Sequence, residues 1–188
     1  MSIENKIDII ISNFEKLKSL SSEIEEIASI CINTIQAGHK IMFCGNGGSA
    51  SDAQHLTAEL VVKYKKVRHA IPAISLTTDT SILTAIGNDI GAGEIFAREV
   101  EALGKSGDLL IGISTSGNSE NIIKAVETAK KNNIKTIALT GKDGGKIKNL
   151  ADKTLRVPSD VTNNIQEMHI AVGHMICEII ENELCAKD

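Results

Sequence analysis

The chain has almost no aromatic side chains: its 188 residues include no Trp, one Tyr and three Phe. Proteins that bind nucleic acids use a broad basic surface, and those that bind single strands also stack bases on aromatic rings. Here 20 basic and 24 acidic residues give a formal net charge of −4. The composition therefore argues against nucleic-acid binding. We interpret the basic cluster formed by Lys63, Lys65, Lys66 and Arg68 as a solvated helix end.

Long apolar runs and paired cysteines are also missing. Without a run of ~18 apolar residues, a membrane span is not expected, and residues 1–6 lack the basic start of a signal peptide. None of the four cysteines has Cys-x-x-Cys spacing, so all are expected to be small apolar residues in a reducing compartment: Cys31, Cys44, Cys177 and Cys185. We expect a cytoplasmic protein whose residues 1–188 form a single domain.

The apolar residues that are present follow helical and strand periods. Residues 4–37 repeat apolar side chains at steps of three and four, which predicts a long helical arm. The arm (residues 1–37) carries more apolar surface than one small sheet face needs, so part of it is expected to pack on another subunit.

Five short apolar runs then alternate with helical stretches, which predicts an α/β fold with a parallel sheet between helical layers. The predicted strands are Lys40–Cys44, Ala70–Leu76, Asp108–Ser114, Ile134–Thr140 and Thr154–Val157. The predicted helices are Ala50–Lys63, Thr80–Ile86, Gly93–Leu103, Ser119–Asn132, Gly145–Leu150 and Asn163–Leu184. Ligands of such folds bind at the carboxyl ends of the strands.

A glycine-rich turn at residues 44–49 follows the first predicted strand and opens a helix. The first turn of a helix has unpaired N–H groups and partial positive charge, which suit anions and hydroxyl-rich ligands. On that helix, His55 and Glu59 are four residues apart and therefore share a face. The sequence thus predicts a site that combines a polar cradle with an imidazole–carboxylate pair.

The same turn matches a dinucleotide fingerprint, because Gly45, Gly47 and Ala50 read as G-x-G-x-x-A. That fingerprint needs an acidic residue about 20 positions further on. The nearest candidate, Asp79, is noticeably farther away, and the His55–Glu59 pair would have no use. We therefore disfavour a nicotinamide enzyme.

A second polar loop, residues 114–119, follows the third predicted strand. Its four hydroxyls and one glycine can surround a phosphate without any basic residue, although a capped turn would look similar. The last predicted helix carries Gln166, His169 and His174 among apolar residues, where a lone His is more often a core residue. A further polar loop, Gly87-Asn88-Asp89, is predicted after the helix Thr80–Ile86, although an ordinary Asn/Asp turn would look the same.

With these residues identified, the chain resembles the sugar isomerase (SIS) domain proteins and, among them, the bacterial phosphoheptose isomerases. The resemblance covers nearly the whole chain, through GNGGSASDAQH at 45–55, Glu59, GND at 87–89, GISTSGNS at 112–119, LTGKDGG at 139–145 and IQEMHIAVGH at 165–174. It implies a flavodoxin-like three-layer α/β/α sandwich with a five-stranded parallel sheet. It also implies a cytoplasmic homotetramer with Zn²⁺ that converts sedoheptulose 7-phosphate to D-glycero-D-manno-heptose 7-phosphate for lipopolysaccharide core or capsule.

The resemblance assigns roles to matching positions. Substrate would be bound by Asn46, Gly47, Gly48, Glu59, Asn88, Asp89 and Gln166, and its phosphate by Ser114, Thr115, Ser116 and Ser119. The matching zinc ligands are His55, Glu59, Gln166 and His174. Two positions depart from the family pattern, Lys63 and Asn164, where relatives often carry Arg.

The chemistry of an aldose–ketose isomerase needs a base at carbon and an acid at oxygen, roles that suit Glu59 and His174. Because Gln166 and His174 are eight residues apart, a regular helix would separate them by about 12 Å, too far for one ion. Either Gln166 lies in an irregular lead-in, or the two residues come from different subunits. The alternative function is a non-catalytic SIS module that binds a phosphosugar or a protein, but it would not need His55, Glu59, Gln166 and His174 together.

Overall fold

Five parallel strands form the centre of the structure, a computed structural model that describes residues 2–185. The strands are β1 (Ile41–Gly45), β2 (Ala73–Ser75), β3 (Leu109–Ser114), β4 (Lys135–Thr140) and β5 (Lys153–Arg156). The helices are α1 (Ile3–Leu17), α2 (Ser21–Gln36), α3 (Gly48–Val61), α4 (Thr80–Asp89), α5 (Ile95–Leu103), α6 (Glu120–Lys131) and α7 (Thr162–Leu184). The short 3₁₀ turns are Lys18–Leu20, Ala92–Glu94 and Ile147–Asn149.

The strand order is β2-β1-β3-β4-β5, and every neighbouring pair is parallel. The direction of winding reverses between β1 and β3, whose carboxyl ends are in register through Gly45 and Ile113. In open α/β sheets, the crevice at such a reversal is where ligands bind. The predicted five-stranded parallel sheet is confirmed.

Alternating strand residues divide the core into two parts, one on each face of the sheet. On one face, Phe43 and Ile111 pack with side chains of α2, α3 and α7. On the other, Met42 and Leu110 pack with side chains of α5 and α6. The sheet therefore lies between two helical layers, with α3 and α7 side by side on the same face.

The predicted N-terminal arm is helical, but it is not one helix. The chain tightens into a 3₁₀ turn at Lys18–Leu20, where Ser19 and Ser21 donate their hydroxyls to the carbonyls of Lys16 and Lys18. Such bonds from side chain to backbone compete with regular helix geometry. Within residues 2–185, no helix has both the length and the apolar character needed to cross a membrane.

Two further boundaries were predicted wrongly. The stretch Gly145–Leu150 forms only a 3₁₀ turn at Ile147–Asn149, because Gly144 and Gly145 both adopt positive φ and interrupt a helix. Helix α4 continues to Asp89, so the predicted loop of Asn88 and Asp89 is the last turn of a helix.

Candidate active site

The glycine-rich turn connects β1 directly to α3. Gly47 has φ +56°, a value that disfavours any side chain, and a Cβ added at Gly45 would lie 2.4 Å from the carbonyl oxygen of Ser49. A Cβ added at Gly48 would lie 2.6 Å from Nε2 of Gln166 on α7. The glycines therefore allow a tight turn at the start of α3. The absence of side chains there lets the polar side chain of Gln166 lie against the backbone of the turn.

The hydroxyl-rich loop connects β3 to α6 at the neighbouring position along the same sheet edge. The hydroxyl oxygens of Ser114 and Ser119 lie 3.0 Å apart, and Ser116 Oγ accepts from the backbone N–H of Asn118 at 3.1 Å. Thr115 and Ser116 are half-buried beside them. The loop thus brings its hydroxyls together at the amino end of a helix, an arrangement suited to a phosphate.

Residues 141–147 hold the hydroxyl-rich loop in place through backbone hydrogen bonds. The N–H of Gly141 donates to Thr115, and the N–H of Ile147 donates to Gly117. Gly117 has φ +65°, and an added Cβ would lie 2.0 Å from the carbonyl oxygen of Gly144. The contact is backbone against backbone, so the shape of the hydroxyl-rich loop depends on glycine at this position.

The third part of the site is a cluster of three side chains from α3 and α7. His55 Nε2 lies 2.9 Å from His174 Nε2 and 3.1 Å from Glu59 Oε1. The donor atoms of all three residues lie within 4.8 Å of one another. His55 is exposed, whereas Glu59 and His174 are half-buried, so the cluster opens to solvent on one side.

The geometry of this cluster fits a divalent cation. One proton on His55 Nε2 cannot serve both the Glu59 oxygen and the His174 nitrogen, whereas a cation between them would satisfy all three. Zinc bonds of about 2.0–2.1 Å arranged tetrahedrally place neighbouring donor atoms about 3.3 Å apart. The observed separations of 2.9 and 3.1 Å are a few tenths of an ångström shorter. Two imidazoles and a carboxylate are also the ligand types that zinc takes in catalytic sites.

A buried ion pair fixes the helices that carry this cluster. Arg68 donates from Nε to Glu181 on α7 at 3.0 Å and from its terminal nitrogens to the carbonyls of Glu59 and Leu60, each at 2.8 Å. Its side chain is fully buried, so the prediction of a solvated cluster is wrong for Arg68, although Lys63, Lys65 and Lys66 are exposed. We call this arrangement the Arg68–Glu181 clamp.

Glu181 accepts hydrogen bonds from backbone groups as well as from Arg68. Its carboxylate accepts from the backbone N–H groups of Tyr64, Lys65 and Lys66 at 2.8–3.0 Å. Burial by itself would raise the pKa of Glu181, but these N–H donors and Arg68 together lower it below its ordinary value. The clamp therefore holds the segment after α3 against α7, and the Tyr64 ring lies 5.8 Å from the His174 ring.

Within one chain, Gln166 lies eight residues before His174 on the same helix, about 12 Å along its axis. Helix α7 is continuous from Thr162 to Leu184, so the alternative of an irregular lead-in is wrong. Gln166 instead lies beside Gly48 of the glycine-rich turn. Asn88 and Asp89 are exposed at the end of α4, where Asn88 donates to Asp89 at 2.6 Å, and α4 packs on α5.

Four other residues singled out in the sequence have structural roles or lie away from the site. His169 is buried and donates from Nε2 to the Thr140 carbonyl at 3.1 Å, and burial lowers its pKa to about 4, as expected of a core histidine. Asp79, the acidic residue considered for a dinucleotide site, instead caps α4 by accepting from the N–H of Ile82. Lys63 lies exposed after α3, and Asn164 accepts from Asn163 in the first turn of α7.

Sequence reasoning missed Asn121, in the first turn of α6. Its side-chain amide exchanges two hydrogen bonds of 2.9 Å with that of Asn46 in the glycine-rich turn. The available signal was a polar residue in the first helical turn after a loop at the ligand-binding edge. Its hydrogen-bond partner, Asn46, is 75 positions away in the sequence and could be identified only from the fold.

Comparisons with known proteins agree with this geometry. A family model described as SIS domain matches residues 5–141. The phosphoheptose isomerases of Akkermansia muciniphila and Nitratiruptor are 57% and 56% identical, covering 97% and 89% of this chain and 96% and 90% of theirs. The solved phosphoheptose isomerase of Neisseria gonorrhoeae superposes with a TM-score of 0.91 at 42% identity, covering 96% of this chain and 97% of that one. The chain belongs to the SIS domain family and, within it, to the phosphoheptose isomerases.

Proposed function

We propose that this isomerase converts D-sedoheptulose 7-phosphate to D-glycero-D-manno-heptose 7-phosphate. The observation that carries the proposal is the position of the His55, Glu59 and His174 cluster on the two helices that also border the glycine-rich turn. A protein that only bound a phosphosugar would have no need of that cluster. The enzyme class follows from the family, so the alternative of a non-catalytic module is set aside.

Glu59 and His174 divide the acid–base work in this proposal. Glu59 takes the proton from C1 of the ketose and returns it to C2, through an enediol or enediolate. His174 gives a proton to the carbonyl oxygen at C2 and takes one from the hydroxyl at C1. Their side chains belong to one cluster whose open side faces solvent, which gives a sugar access to both groups.

We further propose that the cation is zinc, held by His55, Glu59 and His174. When bound, it supplies a Lewis acid that polarises the sugar carbonyl and holds the neighbouring hydroxyl. A carboxylate bound tightly to zinc is a poorer base, so the two roles of Glu59 compete. Both roles would be lost in Glu59→Gln.

The polar loops would bind the rest of the substrate. Four hydroxyls of the loop after β3 are assigned to the phosphate: Ser114, Thr115, Ser116 and Ser119. Asn46, Gly47 and Gly48 are assigned to sugar hydroxyls. The two loops follow adjacent parallel strands, so a substrate bound to both would cross the sheet edge at the point where the winding reverses.

We propose a homotetramer whose active sites lie at subunit interfaces and take Gln166, Asn88 and Asp89 from a neighbouring copy. The support is their location: Gln166 is two turns from His174 on an intact helix, and Asn88 and Asp89 lie on an exposed helix end. The exposed apolar residues of α1 provide a surface for such contacts, with Ile3, Ile7 and Ile11 exposed by 68%, 50% and 53%. A dissociated monomer with full activity would refute this arrangement.

The apolar groove between the N-terminal helices and α7 belongs to the same proposal. It has a volume of about 500 Å³ and is lined by Phe14, Leu17, Ile24, Met175 and Ile179, among others. Sedimentation of the wild type and of Ile7→Asp/Ile11→Asp tests the proposed contact through the exposed face of α1, because two charges on an interface that must desolvate them would dissociate the assembly. We also place the enzyme in the cytoplasm, supplying heptose for surface polysaccharide.

The test of function is the isomerisation of sedoheptulose 7-phosphate by metal-stripped protein, with and without added Zn²⁺. We expect turnover that depends on zinc and falls about 10²–10⁴-fold in Glu59→Gln, the usual effect of removing a general base. Glu127→Gln, an exposed change on α6, is the matched control and should retain wild-type turnover.

The outcomes separate the parts of the proposal. Turnover without metal would keep the isomerase but reject zinc as a participant in the reaction. Absence of turnover under both conditions, with the sugar phosphate still bound in calorimetry, would reject the reaction itself. Full activity in Glu59→Gln would reject both roles assigned to Glu59.

A further inference from the structure

Asn121 makes a side-chain pair with Asn46 that the proposed function has not used. The two residues come from the loops after β1 and β3, and each donates from Nδ2 to Oδ1 of the other at 2.9 Å. In addition, Asn121 Oδ1 accepts from the backbone N–H of Ile122 at 3.0 Å. The side chain of Asn121 therefore connects the glycine-rich turn, which is assigned to the sugar, to the start of α6.

These bonds determine which way each amide faces. The backbone N–H of Ile122 can only donate, so the atom of Asn121 that meets it must be the oxygen. That oxygen also faces Asn46, so the atom of Asn46 opposite it must be the nitrogen. Turning either amide over would bring donor against donor and acceptor against acceptor. The orientation of Asn46 is thus set by a backbone N–H of α6, through Asn121.

The pairing leaves Asn46 only part of its hydrogen-bonding capacity. A primary amide has two N–H donors and two acceptor positions, and Asn121 uses one of each. One N–H and one acceptor position remain on Asn46, in directions that are fixed by the pair. Both residues are at the surface of the crevice, Asn46 exposed and Asn121 half-buried, so the remaining groups are accessible to a ligand.

We propose that Asn121 is a positioning residue for substrate: it fixes the Asn46 amide in the orientation that binds sugar hydroxyls. This inference rests on the proposed function and adds a determinant of sugar affinity to it. Asn121 acts through Asn46 and not on the phosphate. Its removal therefore weakens binding of the sugar but leaves the binding of inorganic phosphate unchanged.

The experiment is a double-mutant cycle with Asn46→Ala, Asn121→Leu and the double variant. Asn121→Leu keeps a similar side-chain size without any hydrogen-bonding group. Asn132→Leu, at the opposite end of α6 and equally half-buried, is the matched control. The measurements are kcat and KM for sedoheptulose 7-phosphate, the inhibition constant of inorganic phosphate, and calorimetric binding of the sugar phosphate.

We expect Asn121→Leu to raise KM about tenfold, the effect of losing roughly one hydrogen bond, with little change in kcat. The double variant should be no worse than Asn46→Ala, and the phosphate inhibition constant should stay at the wild-type value. Asn132→Leu should behave as wild type.

Three results would overturn the inference: an unchanged KM in Asn121→Leu, effects that multiply in the double variant, or a phosphate inhibition constant that rises in parallel with KM. The last would mean that Asn121 only supports the start of α6 and the loop before it. A wild-type protein that binds the sugar phosphate without turnover refutes the proposed reaction, and the calorimetric cycle then still decides the role of Asn121. If it does not bind the sugar at all, both proposals fail.

Discussion

Replacing Arg68 by Met tests whether the Arg68–Glu181 clamp stabilises the site-bearing helices. The change removes four hydrogen bonds: one to Glu181 and three to the carbonyls of Glu59, Leu60 and His69. At about 1 kcal/mol each, the loss is about 4 kcal/mol. Breaking a buried ion pair by removing one partner costs about 3–5 kcal/mol, which agrees. Met has a similar length and keeps most of the packing.

The assay is thermal unfolding followed by circular dichroism. For a chain of this size, each 1 kcal/mol lowers Tm by about 2–4 °C, so Arg68→Met should melt about 8–16 °C below the wild type. All proteins are compared at one concentration, because association would make Tm depend on it. The matched control is Lys65→Met, which removes an exposed pair with Glu178 and should melt close to the wild type, because exposed ion pairs contribute little to stability. Equal melting temperatures for the two variants would refute the reasoning.

The clamp also has a defined pH dependence. The pKa of Glu181 in the folded protein lies below its ordinary value of 4.5, so its ionised form stabilises the fold. That contribution is complete above about pH 4.5 and is lost as pH falls through the lower folded value. The difference in the free energy of unfolding between wild type and Glu181→Gln, measured in urea, should therefore be largest near neutral pH and shrink below pH 4.5. A difference that grew on acidification would contradict the assignment of Glu181 as the ionised partner.

Three further changes test other parts of the structure. Gly117→Ala should weaken inhibition by inorganic phosphate, because its Cβ would lie 2.0 Å from the Gly144 carbonyl oxygen, whereas Gly87→Ala, whose nearest neighbour is 3.8 Å away, should not. Burial raises the pKa of Glu99 to about 7, so the fold loses stability as pH rises from about 4.5 to 7, and Glu99→Gln should melt above wild type at pH 8 but not at pH 5. The His169 ring, with its pKa lowered to about 4 by burial, should show no titration by NMR between about pH 5.5 and 8, and a midpoint near 6.5 would contradict its burial.

The parts of the fold that were predicted correctly depend on local sequence. A buried strand such as β3 is a continuous apolar run that ends where the hydroxyl-rich loop begins. The pairing of His55 and Glu59 needs only the four-residue helical spacing. Short-range signals of this kind can be recognised in the sequence without knowledge of contacts between distant segments.

What could not be predicted depends on contacts between distant segments. Arg68 and Glu181 are 113 positions apart, and each alone resembles an ordinary surface charge. The third member of the cluster, His174, was placed with His55 only by family resemblance, because no spacing relates two residues 119 positions apart. The break after α1 was missed for a different reason: its cause is two serine hydroxyls, which are also common inside regular helices.

The packing of α3 on α7 explains why the cluster forms. Both imidazoles adjoin a point of close approach between the two helices: a Cβ added at Gly173, next to His174, would lie 2.5 Å from the side chain of Leu56, next to His55. Glycine at 173 thus lets the helices approach closely enough for their imidazole nitrogens to lie 2.9 Å apart. The Arg68–Glu181 clamp holds the same two helices together two turns further along α7. A larger residue at 173 would separate the two imidazoles while leaving every cluster side chain in the sequence, so the cation site depends on helix packing as much as on its ligands.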